Sequence, residues 1–507
     1  MNGRSGKPGS KAIAEKVYEN RCRKGPPVDE TSIRKEYARS KASKLLPKGW
    51  SPIARQRGLT VIFALAVLSV ILLAINPTLC FAILLGAIIC AVTLASPYAG
   101  LLIFLAFLFI RPAERIIALE SLHAHRLFTM CFLFSWLVER RLRRRTVSVP
   151  RHQLLTVFFA GAIVMLFSSI TAMWKSNSFN YTLEFFLSVL FCMATIDLLN
   201  SQARIRGYIG LLLGLALFMS IEQLVNYHLL EATSATESVR AGGVGSLFGN
   251  SNDFALAMVF FFPFAYYATT WARSNTGKIA VGIIAFSLVA SIAATGSRGG
   301  AVGIAAIFIV FFVHSQRKLA AGAGLALLLI IMWLLTPDFY KGRLETMPAY
   351  SQDTNAMIRI NAWKAGGRMF MHNPILGVGP GNFEDAFYRG GFGQVYKDRS
   401  WRAAHSMYVQ TMAELGLAGL VWLFALVAAI IRTLLRIRKT LREAETSPPF
   451  LHSLTTSMEA GFVGFLVGGA FLSVLYYPYF MLFCGLAAAV ERISAAEAAP
   501  EPVAEYP

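Results

Sequence analysis

Between residues 359 and 419 the sequence gathers the side chains best able to do chemistry. Arg359 and Trp363 stand four apart, which places them on one face of a helix. Lys364, Arg368, Arg389, Lys397, Arg399 and Arg402 follow, with Glu384, Asp385 and Asp398 as acids. Then His405 and Ser406 open a long apolar run that carries Gly416 and Gly419. A neutral histidine can take a proton, and nearby guanidinium groups lower its pKa and favour that form. Arginine offers a permanent charge and a two-pronged fork to phosphate or carboxylate oxygens. Together these groups suit an anionic, lipid-anchored substrate at a membrane surface. Taken alone, a histidine at a helix start is also a common cap or interface residue.

Two further polar pieces need a reason. Arg240 precedes G-S-L-F-G-N-S-N-D, in which glycines admit close backbone approach. Asn250, Asn252 and Asp253 there can cap the apolar run that comes next. The second piece is T-G-S-R-G-G at 295–300, between two apolar runs. Arg298 at that position costs about 2–3 kcal/mol unless it is paired, snorkels to the interface, or faces a cavity or an anion. The run Gly377-Val-Gly-Pro-Gly381 lacks the preceding strand and the following Lys-Ser/Thr of a phosphate loop, and reads as a turn that packs a loop onto helices.

The elements that must hold these residues are membrane helices. Of 507 residues 55% are hydrophobic and 15% charged, too few charges to cover a soluble surface. Apolar runs recur near 59–75, 78–96, 98–110, 126–138, 153–172, 182–199, 207–225, 253–271, 279–295, 301–314, 318–335, 405–431, 457–474 and 478–492. Many reach the length that crosses a hydrocarbon core of about 30 Å. The runs are continuous and not alternating, which excludes a β-barrel. The expected fold is an all-α polytopic membrane protein with about 12–14 transmembrane helices. Its parts are a basic tail at 1–57, helices over 58–335, a polar loop domain at 336–404, further helices over 405–492, and a disordered tail at 493–507. The runs at 98–110 and 126–138 are short, and read either as crossings or as a re-entrant pair.

Charge sets the orientation. The net charge is +20, and residues 1–57 hold fifteen Lys and Arg against five acids. The basic runs at 139–145, 204–206, 273–278, 317–318 and 432–442 fall on the side of that tail, which makes it cytoplasmic. Residues 226–252, 296–300 and 336–404 then face outward, to the periplasm. No aromatic-basic interleaving accompanies the charge, so nucleic acid is not an expected partner. The six cysteines show no CxxC spacing, and the outward carboxylates lack the pairing of a metal or glycosidase site. No metal or cofactor is expected. A transporter would place ionisable groups mid-membrane in matched halves, and no internal repeat is visible.

In this order the motifs resemble those of the O-antigen ligase and polymerase superfamily of bacterial inner membranes, over roughly residues 205–485. The parts that match are Arg240 before G-S-L-F-G-N-S-N-D, T-G-S-R-G-G, the Arg359 and Trp363 pair, and N-P-I-L-G-V-G-P-G-N-F at 373–383. The last is His405, Ser406, nine residues, Gly416, two residues and Gly419, a ligase-type pattern. The basic tail has no counterpart in it. The resemblance implies a metal-independent transfer of a glycan from undecaprenyl diphosphate to a hydroxyl of lipid A-core or of a second glycan chain. It implies that Arg240 and Arg359 hold the diphosphate and that His405 is the base. Arg298, Asn250, Asn252, Trp363 and Arg402 are then the expected substrate contacts.

Overall fold

Inside a hydrocarbon layer a backbone amide finds its partner within its own helix, so continuous apolar runs fold as helices. In a computed structural model the described residues are 77–115, 124–142, 151–233, 242–243, 248–272, 274–335, 354–396, 400–444 and 448–498. Among them the regular structure is helical, without a strand. The helices are α1 (Pro77–Ala95), α2 (Pro97–Ile110), α3 (Pro112–Arg115), α4 (Ala124–Leu142), α5 (Gln153–Thr171), α6 (Lys175–Leu198), α7 (Gln202–Thr233) and α8 (Ser251–Trp271). They continue as α9 (Asn275–Ala294), α10 (Arg298–His314), α11 (Lys318–Leu335), α12 (Thr354–His372), α13 (Phe383–Tyr388), α14 (Met407–Glu443), α15 (Pro449–Gly469) and α16 (Pro478–Ala498). The contact pattern divides the chain after Leu84, and the helix packing around the candidate site belongs to the unit Leu85–Pro507. The expected run at 59–75 and the basic tail lie outside the described residues.

Seven helices are long and apolar enough to cross a membrane: α5, α6, α7, α8, α9, α14 and α16. Leu84–Ala95, α2 and α10 are apolar but shorter, and with the seven they are consistent with the expected all-α, multi-pass fold. The short pair α2 and α4 packs antiparallel, with Phe107 on Phe128 and Phe104 on Phe132 at ring distances of 5.1 and 6.2 Å. α8 sits at the centre, where Phe260 meets Phe465 of α15 and Phe483 of α16 edge-on. α16 runs on to Ala498, past residue 493 where the tail is expected to begin, because Ile493 and Ser494 are buried and Ala and Glu favour helix.

The helices carry different chemistry at their two ends. At one end, Arg438 of α14 pairs with Glu459 at 2.5 Å, and His314 approaches the same carboxylate at 3.4 Å. There too His152 bonds Glu491 at 2.8 Å, and Arg204 donates to the Leu198 carbonyl at 3.0 Å. The other end of α10 opens with Arg298, and His405 stands just before the start of α14. Arg438 and His314 therefore lie most of a helix length along α14 and α10 from His405 and Arg298.

Residues 374–379 are held by a break in α14. Gly416 has φ 63° and ψ −152°, a conformation nearly confined to glycine. The break leaves the Ala413 and Glu414 carbonyls and the Leu417 and Ala418 amides without helical partners. All four find partners in the loop. The Val378 and Gly379 amides donate to Ala413 and Glu414, each at 3.0 Å. The Leu417 and Ala418 amides donate to the Pro374 and Ile375 carbonyls at 2.8 and 3.1 Å. Gly377, also at positive φ, lies against the Glu414 backbone, where a Cβ would meet it at 2.3 Å. The glycine run thus packs a loop onto the bundle. Gly416→Ala is expected to lower stability by about 1–3 kcal/mol from backbone strain alone. Its Cβ would also lie 2.6 Å from Ile375 backbone atoms. Thermal unfolding in detergent checks this, and an unchanged midpoint would contradict the role given to the break.

Candidate active site

The site is built where α12, the start of α14 and the connection between α15 and α16 meet. α12 lies on α14 over small residues: a Cβ on Gly366 would come within 2.6 Å of Val409. Ala362, Ala365, Val378, Phe383, Ala404 and Ala413 form a small separate core beneath it. From this helix Trp363 donates its Nε1 hydrogen to the Ala404 carbonyl at 3.0 Å. The tryptophan therefore pins the residue just before His405. Arg359, one turn earlier on the same face, comes with it.

His405 is not the first residue of α14. Ser406 is the cap, accepting from the Val409 amide at 3.4 Å, and His405 stands before it at φ 49°. Few side chains sit in that left-handed region, and histidine is among those that tolerate it. Such strain persists where the surroundings enforce it, often at functional sites. The His405 amide donates to Ser473 Oγ at 2.9 Å. Burial, then the charges of Arg359 and Arg402, lower the His405 pKa from 6.5 to about 4. The imidazole is therefore neutral at physiological pH and able to accept a proton. Both arginines are half-buried.

The connection 470–477 draws the remaining pieces toward His405. Its Ser473 holds the His405 amide, and its Tyr477 hydroxyl hydrogen-bonds the Asp253 carboxylate. A Cβ on Gly299 would lie 3.5 Å from Phe471 Cβ, so the start of α10 adjoins the same connection. Arg298 is the first residue of α10 and is exposed, while Ser297 caps the Gly300 amide at 3.2 Å. A cation at a helix N-terminus opposes the helix dipole by about 0.3–1 kcal/mol, which an anion beside both would offset. Asn250 accepts from the Asn252 amide at 2.8 Å, so its side chain caps α8. Asn252 is buried. Arg240 lies outside the described residues.

Of the residues singled out from sequence, Arg359, Trp363, Arg402 and His405 come together directly. Arg298 and Asn252 stand on helix ends bound to the same connection. The sequence reading missed Ser473, which falls inside the run read as 457–474, and Tyr477, which falls in the short gap before the run at 478–492. α15 in fact ends at Gly469, not near 474, leaving residues 470–477 outside any helix. A serine and three tyrosines around a proline were the available signal. Glu414 was also missed, a single acid within an apolar run. Among the described residues no three His, Cys, Asp or Glu side chains cluster as a metal site would require.

An all-α, multi-pass membrane protein with a neutral histidine under the influence of two arginines is the class these features define. Residues 283–424 match the O-antigen ligase family, which supports the O-antigen ligase and polymerase superfamily for this chain. That stretch contains Arg298, Arg359, Trp363, Arg402, His405 and Gly416, and supports a membrane glycosyltransferase of the O-antigen ligase family. No curated protein matches the chain.

With the neutral form present above about pH 4, the rate of His405 modification by diethyl pyrocarbonate is expected to stay level from pH 8 down to about 5. An acid limb centred at 6.5, the ordinary histidine value, would contradict the burial and charge assigned to His405.

Proposed function

We propose that the protein transfers a glycan from undecaprenyl diphosphate to an acceptor hydroxyl at the outer face of the bacterial inner membrane, with its N-terminus in the cytoplasm. The acceptor hydroxyl attacks the anomeric carbon, the bond from that carbon to the diphosphate oxygen breaks, and undecaprenyl diphosphate leaves with the electron pair. The acceptor proton passes to His405. Direct displacement of this kind inverts the anomeric centre. The observation that carries the reading is the neutral His405 held beside Arg359 and Arg402 within the stretch matching the O-antigen ligase family.

Charge builds on phosphate oxygens as the diphosphate leaves. Preorganised donors contribute about 3–4 kcal/mol each where water is scarce. Arg359 and Arg240 are proposed to hold the diphosphate, with Arg298 at its helix N-terminus as a further contact. Asn250, Asn252, Trp363 and Arg402 are proposed to line the substrate path. The guanidinium groups supply the leaving-group stabilisation without a metal. A bound diphosphate also offsets the charges that depress His405, raising its pKa toward the operating range where a base is most effective.

Lipid A-core is the favoured acceptor, because the His405, Ser406, Gly416 and Gly419 pattern is of ligase type. A second lipid-linked glycan, as in a polymerase, is the alternative. Purified protein offered lipid A-core in one reaction and only more donor in another separates them. Glycan on lipid A-core is the expected result. A ladder of longer lipid-linked chains would make the enzyme a polymerase, and turnover in neither would overturn the proposal.

A further inference from the structure

We infer that Glu414 is a positioning residue, the junction at which the two walls of the site are fixed to one another. Its carboxylate is buried, with 1% of the residue exposed. It accepts from the Gly381 amide at 3.0 Å, in the loop that follows α12, and from the Phe383 amide at 3.2 Å, at the start of α13. It also accepts from the Tyr476 hydroxyl at 2.5 Å, in the connection that holds His405 through Ser473. Gln410 Nε2, one turn earlier on α14, donates at 3.5 Å. The Glu414 carbonyl, freed by the break at Gly416, accepts from the Gly379 amide and from Ser168 of α5.

These contacts come from three separate parts of the chain. Arg359 belongs to α12, and α12 leads through residues 373–383 to the Gly381 and Phe383 amides. His405 is tied to Ser473, three residues before Tyr476. Both paths end on one carboxylate. Its two carboxyl oxygens accept from two amides, an amide side chain and a phenol. Glutamine in its place would turn an N–H toward groups that themselves donate. Glu414 touches no reacting atom in this arrangement, so its effect is on where Arg359 stands relative to His405.

The inference rests on the glycan-transfer reading for its catalytic consequence, but its geometry can be tested without turnover. Full-length wild type, Glu414→Gln, Tyr476→Phe and the double variant would be purified in detergent. Amide exchange over 376–383 and the pH dependence of His405 modification by diethyl pyrocarbonate would be followed. In Glu414→Gln, exchange at Gly381 and Phe383 is expected to quicken by at least about tenfold, with the long helices unchanged. Because Arg359 shifts from the imidazole, His405 should titrate above its wild-type value of about 4. Transfer should lose about a hundredfold in kcat, with the donor KM within about threefold. Tyr476→Phe should move exchange and titration less, in the same direction, and add nothing in the Glu414→Gln background.

Wild-type exchange and titration in Glu414→Gln would overturn the inference. So would fully additive effects of the two substitutions. If Glu414→Gln does not fold, Tyr476→Phe alone decides, and unchanged exchange and titration there would overturn it. Shifted exchange and titration in a protein whose wild type transfers no glycan would uphold the positioning role and overturn the transfer reading.

Discussion

Replacing His405 is expected to lower transfer by about 100- to 10,000-fold, the contribution of a positioned base, with protein level unchanged. His405→Ala removes the proposed base but also places alanine at φ 49°, where its side chain is disfavoured. His405→Asn is the cleaner variant, since asparagine tolerates that backbone and takes up no proton at these pH values. The two variants should be equally inactive if the imidazole is what matters. Surface glycan on gels of whole cells, with the protein measured by immunoblot, reads both. Wild-type product from His405→Asn would remove the base assignment. Activity lost in alanine but kept in asparagine would show that the backbone turn was the requirement.

Arg359→Lys is the second large effect. Lysine keeps the charge but cannot make the two-pronged contact with phosphate oxygens. If that fork stabilises the leaving diphosphate, transfer falls by about 100- to 1,000-fold, the size seen when one preorganised donor is lost. The charge has a separate role through His405, whose pKa it depresses together with burial and Arg402. Arg359→Ala should therefore raise that pKa from about 4 toward 6.5 and move the acid limb of kcat/KM upward. Arg359→Lys should leave the limb near its wild-type place while still losing rate. Equal activity of lysine and arginine would reduce Arg359 to a general electrostatic role.

The helices were legible because length and hydropathy alone demand them. The run expected at 253–271 is α8, Ser251–Trp271, and that at 279–295 is α9, Asn275–Ala294. The interruptions were not legible. Gly416 breaks α14 without any change of hydropathy, since the carbonyls it frees are satisfied by a loop some forty residues earlier. Residues 470–474 read as membrane for the same reason, which hid Ser473 and its bond to His405, while Tyr477, which binds Asp253, passed as part of a short gap between two runs. Arg359, Trp363, Arg402 and His405 were visible because charged and aromatic residues stand out at an apolar border. Which contacts they make was not, because Trp363 spends its indole N–H on a backbone carbonyl, whereas the use of the Asn250 side chain on a helix end was one of the readings its position offered. Both position neighbours, and a residue type alone cannot separate that from binding a substrate.

The central claim is that a diphosphate leaves from this site as an acceptor hydroxyl loses its proton to His405. The most direct measurement tracks a single turnover by purified protein with chelator, labelled undecaprenyl-diphosphate glycan and lipid A-core. Released undecaprenyl diphosphate and glycosylated acceptor are counted together, for wild type and His405→Asn. The expected result is equal release and product in wild type, with neither in the variant. Undecaprenyl diphosphate released at the wild-type rate by His405→Asn, or no release from wild type with any acceptor, would contradict it.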